Sequence, residues 1–384
     1  MRFEEAYTSW QEKRLTQEEA ATLLGVCERS FRRYVNRYHE EGLDGLIDKR
    51  LQQVSHLRAP VDEVLTLETL YRERYGGWNV KHFYERYQEE HGGVRSYTWV
   101  KKQLQGKGLV KAGKRRGAHR TRRERKPLPG MMIHQDASTH DWVPQVKWDL
   151  VATMDDATGG LYSLFFTEEE GTWSSFRGVR ETLESKGLFS SFYSDRGSHY
   201  WTTPKEGGKV DKDHLTQFGR AMQQLGIQMI PSYSPQARGR SERMFGTLQG
   251  RLPQELVLAG ITDMAQANTF LADHFLPDFN RRFQVEAAER GDAFVPLLNT
   301  GLDDILCLKT DRTVRQDNCV NYQGKVLQIP KQCGRCHYVK ASVTVHEYAD
   351  GGLSVFHGPR RLATYTEAGE LVEPALEGKA KATA

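Results

Sequence analysis

The stretch Ser232–Leu252, SYSPQARGRSERMFGTLQGRL, decides how the rest of the chain is read. A turn segment, Ser234-Pro235-Gln236, leads into a cluster rich in Arg and Gly, and a helix follows. At about 100° per residue, Phe245, Leu248, Leu252 and Leu256 make one apolar stripe, with Glu242 at its edge. Arg240, Arg243, Thr247, Arg251 and Gln254 share a polar, basic face. A carboxylate on the border between a buried and a basic face suits chemistry on a phosphate. An ordinary amphipathic surface helix reads the same way, so the rest of the chain must decide.

From Met131 the composition turns to strands. MMIHQDAS predicts a strand ending in Asp136, and KWDLVATMD (147–155) a second. Residues 156–160 form a turn, and LYSLFF (161–166) is a third strand. The three read as an antiparallel meander. Thr172–Gly187 is an amphipathic helix, Leu188–Gly197 a fourth strand ending in Asp195, His214–Ile227 another helix and Gln228–Tyr233 a fifth strand. The order β-β-β-α-β-α-β-α predicts a mixed α/β sheet covered by helices. If the first and fourth strands are neighbours, Asp136 and Asp195 stand side by side at one edge, with Glu242 in reach. Three hard oxygen ligands suit Mg²⁺ or Mn²⁺. Two such ions about 3.5–4 Å apart activate an attacking oxygen and stabilise a leaving one at phosphorus. Repulsion among the carboxylates is relieved when the cations arrive. Asp141, Asp149, Asp155 and Asp156 lie close by in sequence. The Asp155-Asp156 pair falls in a hairpin turn, where Asp is ordinary, and reads as structural.

Before the sheet lie helical modules. Thr16 with Glu19 forms a capping-box pattern, Gly25-Val26-Cys27 a turn, and a second helix starts near Glu28. In that helix Phe31, Tyr34 and Val35 face inward, while Arg29, Ser30, Arg32, Arg33 and Arg37 point mostly outward. This describes a DNA-binding helix-turn-helix. Residues 60–109 read as a second module of the same kind, whose last helix carries Lys101 and Lys102. The net charge of +4 says little about partners, but its distribution says more. Lys111–Lys126 holds nine Lys or Arg against Glu124 alone. Lys114, Arg115, Arg116, Arg120, Arg122 and Arg123 of this linker suit a polyanion. After about Leu302 short strands predict a small β-barrel or sandwich, with a hairpin turn at Asp350-Gly351-Gly352. Five scattered cysteines argue against a disulfide framework. Cys333-Gly-Arg-Cys336-His337 resembles half of a zinc site, yet no second close pair exists, and a turn between strands is the default reading. No signal peptide and no apolar run of about 20 residues is present, so a soluble, cytoplasmic protein is expected, away from any membrane.

HQDAS, YSDRGSHY and YSPQARGRSERMFGTLQGRL resemble the motifs carrying the first Asp, the second Asp and the Glu of DDE-class insertion-sequence transposases. That family has a retroviral-integrase-like (RNase H-like) core, and the last motif is similar in particular to the ISNCY-type group of bacterial transposases. The resemblance spans roughly residues 10–360 and implies a multidomain chain. Its parts are all-α helix-turn-helix modules at 1–52 and 57–110, a basic linker at 111–128 and an RNase H-like α/β catalytic core with a mixed five-stranded sheet at 129–290. A small all-β C-terminal module at 300–366 and a disordered tail at 367–384 complete it. Asp136, Asp195 and Glu242 take the catalytic and metal-ligand positions, with two Mg²⁺ or Mn²⁺ ions. The implied partners are double-stranded DNA, as terminal inverted repeats and target, and a second copy of the chain when two ends are synapsed, in a bacterial cytoplasm on the nucleoid. The implied reaction is hydrolysis at the element's end and joining of the freed 3′-OH to target DNA. His199, Arg238, Arg240 and Arg243 become candidate phosphate contacts. The alternative is a transposase-derived, sequence-specific DNA-binding regulator with an inert core.

Overall fold

The computed structural model describes residues 2–48, 58–113, 123–144, 146–204, 208–233, 235–298, 301–331 and 335–372. Lys114, Arg115, Arg116, Arg120, Arg122, Cys333, the side chain of Arg238 and residues 373–384 of the expected tail lie outside them. Two units make up the chain: Met1–Gly76 with Arg95–Lys111, and Gly77–Val94 with Ala112–Ala384.

In the first unit, α1 (Phe3–Gln11), α2 (Gln17–Leu23) and α3 (Glu28–Glu41) enclose Ala6, Ala20, Ala21, Phe31 and Val35. The small side chains of Ala20 and Ala21 let α2 lie close against α3. The capping box forms as its sequence predicts: the Glu19 N–H donates to Thr16 Oγ1 at 3.2 Å and the Thr16 N–H to the Glu19 carboxylate at 2.7 Å. The turn between α2 and α3 passes through Gly25 at φ +66°, a conformation that suits glycine. On α3, Arg29, Arg32, Arg33 and Arg37 are exposed and Ser30 is half-buried. The unit also holds α4 (Val61–Arg74) and α6 (Tyr97–Gly106), while α5 (Val80–His91) belongs to the second unit. Arg95 donates to both Glu63 carboxylate oxygens, at 2.7 and 2.5 Å. Lys101 and Lys102 are exposed on α6.

The second unit is built on β1 (Ile133–Val143), β2 (Val146–Asp155), β3 (Leu161–Thr167), β4 (Ser191–Ser194) and β5 (Gln228–Pro231). Their order is β3-β2-β1-β4-β5. The first three strands pair antiparallel, and β1–β4 and β4–β5 pair parallel. The sheet is thus the mixed, five-stranded one read from the sequence. Two strand ends that carry the aspartates move: the strand of Asp136 runs on to Val143, because its partner β2 continues to the hairpin closed at Val143↔Val146, and the fourth strand is only Ser191–Ser194, so that Asp195 follows its end.

Each face of the sheet is covered. On one, α7 (Thr172–Lys186) and α8 (Gln217–Gln224) pack with Ile133 and Phe192. On the other, α9 (Pro235–Gln249), α10 (Leu252–Leu258), α11 (Met264–Phe270) and α12 (Leu276–Phe283) pack with Leu150, Ala152, Met154 and Phe166. The stripe Phe245, Leu248, Leu252 and Leu256 is buried as its spacing predicts. A π-helical turn, Leu271–Phe275, separates α11 from α12 just before Pro277. Proline lacks the N–H that an uninterrupted α-helix would use there.

Helix α5 is held to α9–α12 by charges. The Glu255 carboxylate accepts from His82 Nε2 at 2.6 Å and from Arg86, while Glu85 accepts from Arg251 at 2.7 Å and from Arg282 at 2.9 Å. The C-terminal part has β6 (Leu308–Thr313), β7 (Cys319–Tyr322), β8 (Lys325–Gln328), β9 (Ser342–Glu347), β10 (Leu353–His357), β11 (Arg360–Tyr365) and β12 (Leu371–Val372). These make a sheet of order β12-β11-β10-β9-β6 and a separate β7–β8 hairpin, with Asp350-Gly351-Gly352 in the turn between β9 and β10. Gln217 on α8 fixes β6 to the core by exchanging hydrogen bonds with the Lys309 backbone, at 2.8 and 2.9 Å.

Burial would raise the Glu255 carboxyl, but the bonds from His82 and Arg86 outweigh it and hold it down to about 2. Its folded value lies below its free value, so this stabilisation is complete above about pH 4.5 and is lost as pH falls through about 2. Hydrogen exchange in α5 is expected to accelerate across that window, and Glu255→Gln is expected to remove this pH dependence. Unchanged protection of α5 in Glu255→Gln would contradict the charge-held packing.

Candidate active site

The parallel register of β1 and β4 places the two aspartates. Ile133 pairs with Phe192 and His134 with Tyr193. Carried two residues further, this register sets Asp136 level with Asp195, just past the end of β4. Asp136 pairs with Ala152 of β2, and Ala152 belongs to the core on the α9 side. Cross-strand partners share a face, so Asp136 points toward α9. Asp195 follows the end of β4, and its Oδ1 accepts the Gly197 N–H at 2.9 Å. A side chain at Gly197 would meet His199 Cε1 at 3.0 Å and Asp195 Oδ1 at 3.1 Å. The glycine thus lets the turn after Asp195 close tightly.

Glu242 is exposed on α9. Seven residues on, and on the same helix face, Gln249 Nε2 donates to Ser138 Oγ at 2.9 Å. Ser138 lies two residues beyond Asp136 on the same side of β1. At the other end of α9, Arg240 pairs with Asp156. Glu242 and Asp136 therefore lie between the same two anchors. Among the described residues, no three His, Cys, Asp or Glu side chains are gathered closely enough to hold a metal ion.

Beneath the aspartates, on the opposite face of β1, lies a buried polar chain. Ser175 Oγ donates to Tyr200 OH at 3.1 Å, Tyr200 OH to Gln135 Oε1 at 3.0 Å and Gln135 Nε2 to Thr153 Oγ1 at 3.0 Å. Burial pushes the Tyr200 hydroxyl well above its ordinary value, and the charges of Glu170, Asp195 and Asp136 add to that. The phenol stays neutral beside the carboxylates. Glu170 Oε1 lies 3.5 Å from His199 Nε2.

The Asp155-Asp156 turn is fully buried. Asp155 plays the local role that turn chemistry predicts, accepting Thr158 N–H at 2.8 Å, and it also accepts the N–H of Gly130, 25 residues earlier, at 3.0 Å. Asp156 instead accepts from Arg123, Arg240, His134 Nε2 at 2.7 Å and Lys126 N–H at 2.8 Å. Burial opposes its ionisation, but these donors prevail and hold it well below the carboxylate range. The basic face of α9 and α10 thus differs from its sequence reading. Arg240 is turned onto Asp156 and Arg251 onto Glu85, while Arg243 is exposed.

A mixed sheet of order β3-β2-β1-β4-β5 with helices on both faces is an RNase H-like core of the integrase type. The Winged helix-turn helix family matches residues 10–56. Over 348 residues the chain is 30% identical to a protein of Sinorhizobium fredii (strain NBRC 101917 / NGR234) whose name places it among the transposases, y4bF, covering 89% of this chain and 75% of that one. Over 303 residues it is 28% identical to the transposase for insertion sequence IS1202 of Streptococcus pneumoniae, covering 70% of this chain and 65% of that one. A similar solved structure is the HTLV-2 integrase catalytic core domain in complex with magnesium, at 15% identity and a TM-score of 0.29, over 37% of this chain and 82% of that one. The chain belongs to the transposase family. No helix among the described residues is long and apolar enough to cross a membrane.

Gly178 on α7 is where the polar chain meets the helix. A Cβ there would meet Gln135 Nε2 at 2.1 Å and Thr153 Oγ1 at 2.8 Å. Gly178→Ala must displace the buried Gln135 amide and break its bonds, a cost of about 1–3 kcal/mol. A lowered denaturant midpoint is expected, and a variant as stable as the wild type would refute this account of the packing.

Proposed function

We propose that this transposase binds the terminal inverted repeats of its own insertion sequence and carries out metal-dependent phosphodiester hydrolysis and strand transfer. The observation that carries this reading is the parallel register of β1 and β4, which sets Asp136 level with Asp195 just past the end of β4, with Glu242 on the side of α9 that carries Gln249, itself bonded to Ser138. Carboxylates without thiolates fit a hard divalent cation, Mg²⁺ or Mn²⁺, and these three residues would hold two ions. When bound, the metal supplies Lewis-acid activation of water or a 3′-OH and neutralises the leaving oxygen.

The chain's own residues supply the rest. The Gly197 N–H and the tight turn around it orient the Asp195 carboxylate. Tyr200, neutral and held by Ser175 and Gln135, braces the floor of the site without adding charge. Gln249 holds α9 against β1 at the level of Ser138, on the helix face that also carries Glu242. Exposed Arg29, Arg32, Arg33 and Arg37 on α3, with Lys101 and Lys102 on α6, are assigned to the DNA ends, and Arg243 and the linker to phosphates. Two copies of the chain synapse two ends.

The test incubates the full chain with Mg²⁺ and element-end DNA. Cleavage and joining are expected, and both should fall to background in Asp136→Asn, Asp195→Asn and Glu242→Gln while end binding persists. Activity surviving in these variants would remove the assignment of the site. Binding without cleavage by the wild type would instead favour a regulator with an inert core. Replacing Arg32 and Arg33 with Ala should weaken end binding and lower its salt slope by about 0.9 for each phosphate the protein no longer neutralises. An unchanged slope would take the DNA away from α3.

A further inference from the structure

His134, Tyr193 and Arg240 each stand two residues before one of the three carboxylates, Asp136, Asp195 and Glu242 in turn. The structure brings these three together at Asp156. His134 and Arg240 both bond to its carboxylate, and the Tyr193 ring packs on His134 with centroids 4.8 Å apart. Asp156 is fully buried, so each bond to it is fixed in direction and sheltered from water.

The geometry that follows is specific. Residues two apart on a strand share a face, so the bond from His134 fixes the side on which Asp136 emerges. Two residues on a helix are separated by about 200°. Arg240 therefore turns toward Asp156 while Glu242 faces the side that carries Gln249. Gln249 is bonded to Ser138, two residues beyond Asp136. Helix α9 is thereby pinned at the level of His134 and again at the level of Ser138, with Asp136 and Glu242 bracketed between. The second arm of the Arg240 guanidinium donates to the Arg123 backbone carbonyl at 2.7 Å, which ties the end of the basic linker into the same cluster.

We infer that Asp156 is a positioning residue of the metal site, setting the register of α9 against β1 and so the position from which Glu242 would join Asp136 and Asp195. The inference rests on the reading of those three carboxylates given above. It assigns Asp156 no contact with substrate or metal; its effect passes through His134 and Arg240.

The test compares the wild-type full chain with Asp156→Asn, Arg240→Gln and Asp136→Asn. Mn²⁺ binding is measured by calorimetry without DNA, and the Mg²⁺ concentration for half-maximal cleavage is measured on element-end DNA. Asp156→Asn and Arg240→Gln are expected to weaken Mn²⁺ binding and raise the Mg²⁺ requirement by about 10–100-fold, with cleavage recovering at high Mg²⁺ and end binding unchanged. A purely structural role would lower the melting temperature and leave the metal dependence where it is, and that result overturns the inference. If Asp156→Asn does not fold, Arg240→Gln decides alone, since Asp156 keeps its bonds from Arg123, His134 and Lys126. Asp136→Asn separates the two readings. If it binds Mn²⁺ like the wild type, the metal site itself is misassigned. If it alone loses Mn²⁺ binding, the site stands and the positioning role fails.

Discussion

The parallel pairing of β1 with β4 is the constraint on which the second unit depends. It joins an antiparallel meander to a parallel half, and it does so through the short strand Ser191–Ser194, buried along its whole length. Ile133 and Phe192 pair in the core on the α7–α8 side, and His134 and Tyr193 meet toward the other face. A strand paired on both edges and covered on both faces has no freedom to slide. The carboxyl ends of such parallel strands are where α/β sheets open crevices for ligands. Asp195 takes that position just beyond β4, and Asp136 stands beside it just past the last paired residues of β1 and β4, short of the strand's own end at Val143.

The pattern of the sheet was legible because its forces are local. Short segments rich in apolar residues marked the five strands, and the first helical connection ended at a glycine, Gly187. The level placement of Asp136 and Asp195 required one assumption, that the first and fourth strands are adjacent, and the topology meets it. The end of β1 was misplaced because residues 137–143 mix polar and apolar positions. They are strand because β2 pairs with them through to the hairpin.

What the sequence hid are the long-range charges. On a helical wheel Arg240 and Arg251 share a basic face that looks open to a polyanion. Their partners, Asp156 and Glu85, are 84 and 166 residues away. Periodicity carries no trace of such pairs. Glu85 and Glu89 of α5 both bind Arg282, 197 and 193 residues away. The Asp155-Asp156 turn shows the division within two adjacent residues. Local turn chemistry accounts for the bonds of Asp155 to Thr158, whereas the donors of Asp156 come from the linker, β1 and α9.

Such buried charge is a poor source of stability, since desolvation offsets much of the attraction between the partners. Its value lies in direction. The apolar core under α9 is lined by Leu248, Leu252, Leu150 and Met154, and packing of that kind changes little for a small sliding of the helix. A carboxylate bonded at once to His134, Arg123 and Arg240 does not tolerate it, because a shift strands charged groups in a region without water. A slip of one residue in β1 would also send Asp136 to the opposite face, among Gln135's partners. The hydrophobic core holds α9 on the sheet, and the charges around Asp156 select where on the sheet it lies.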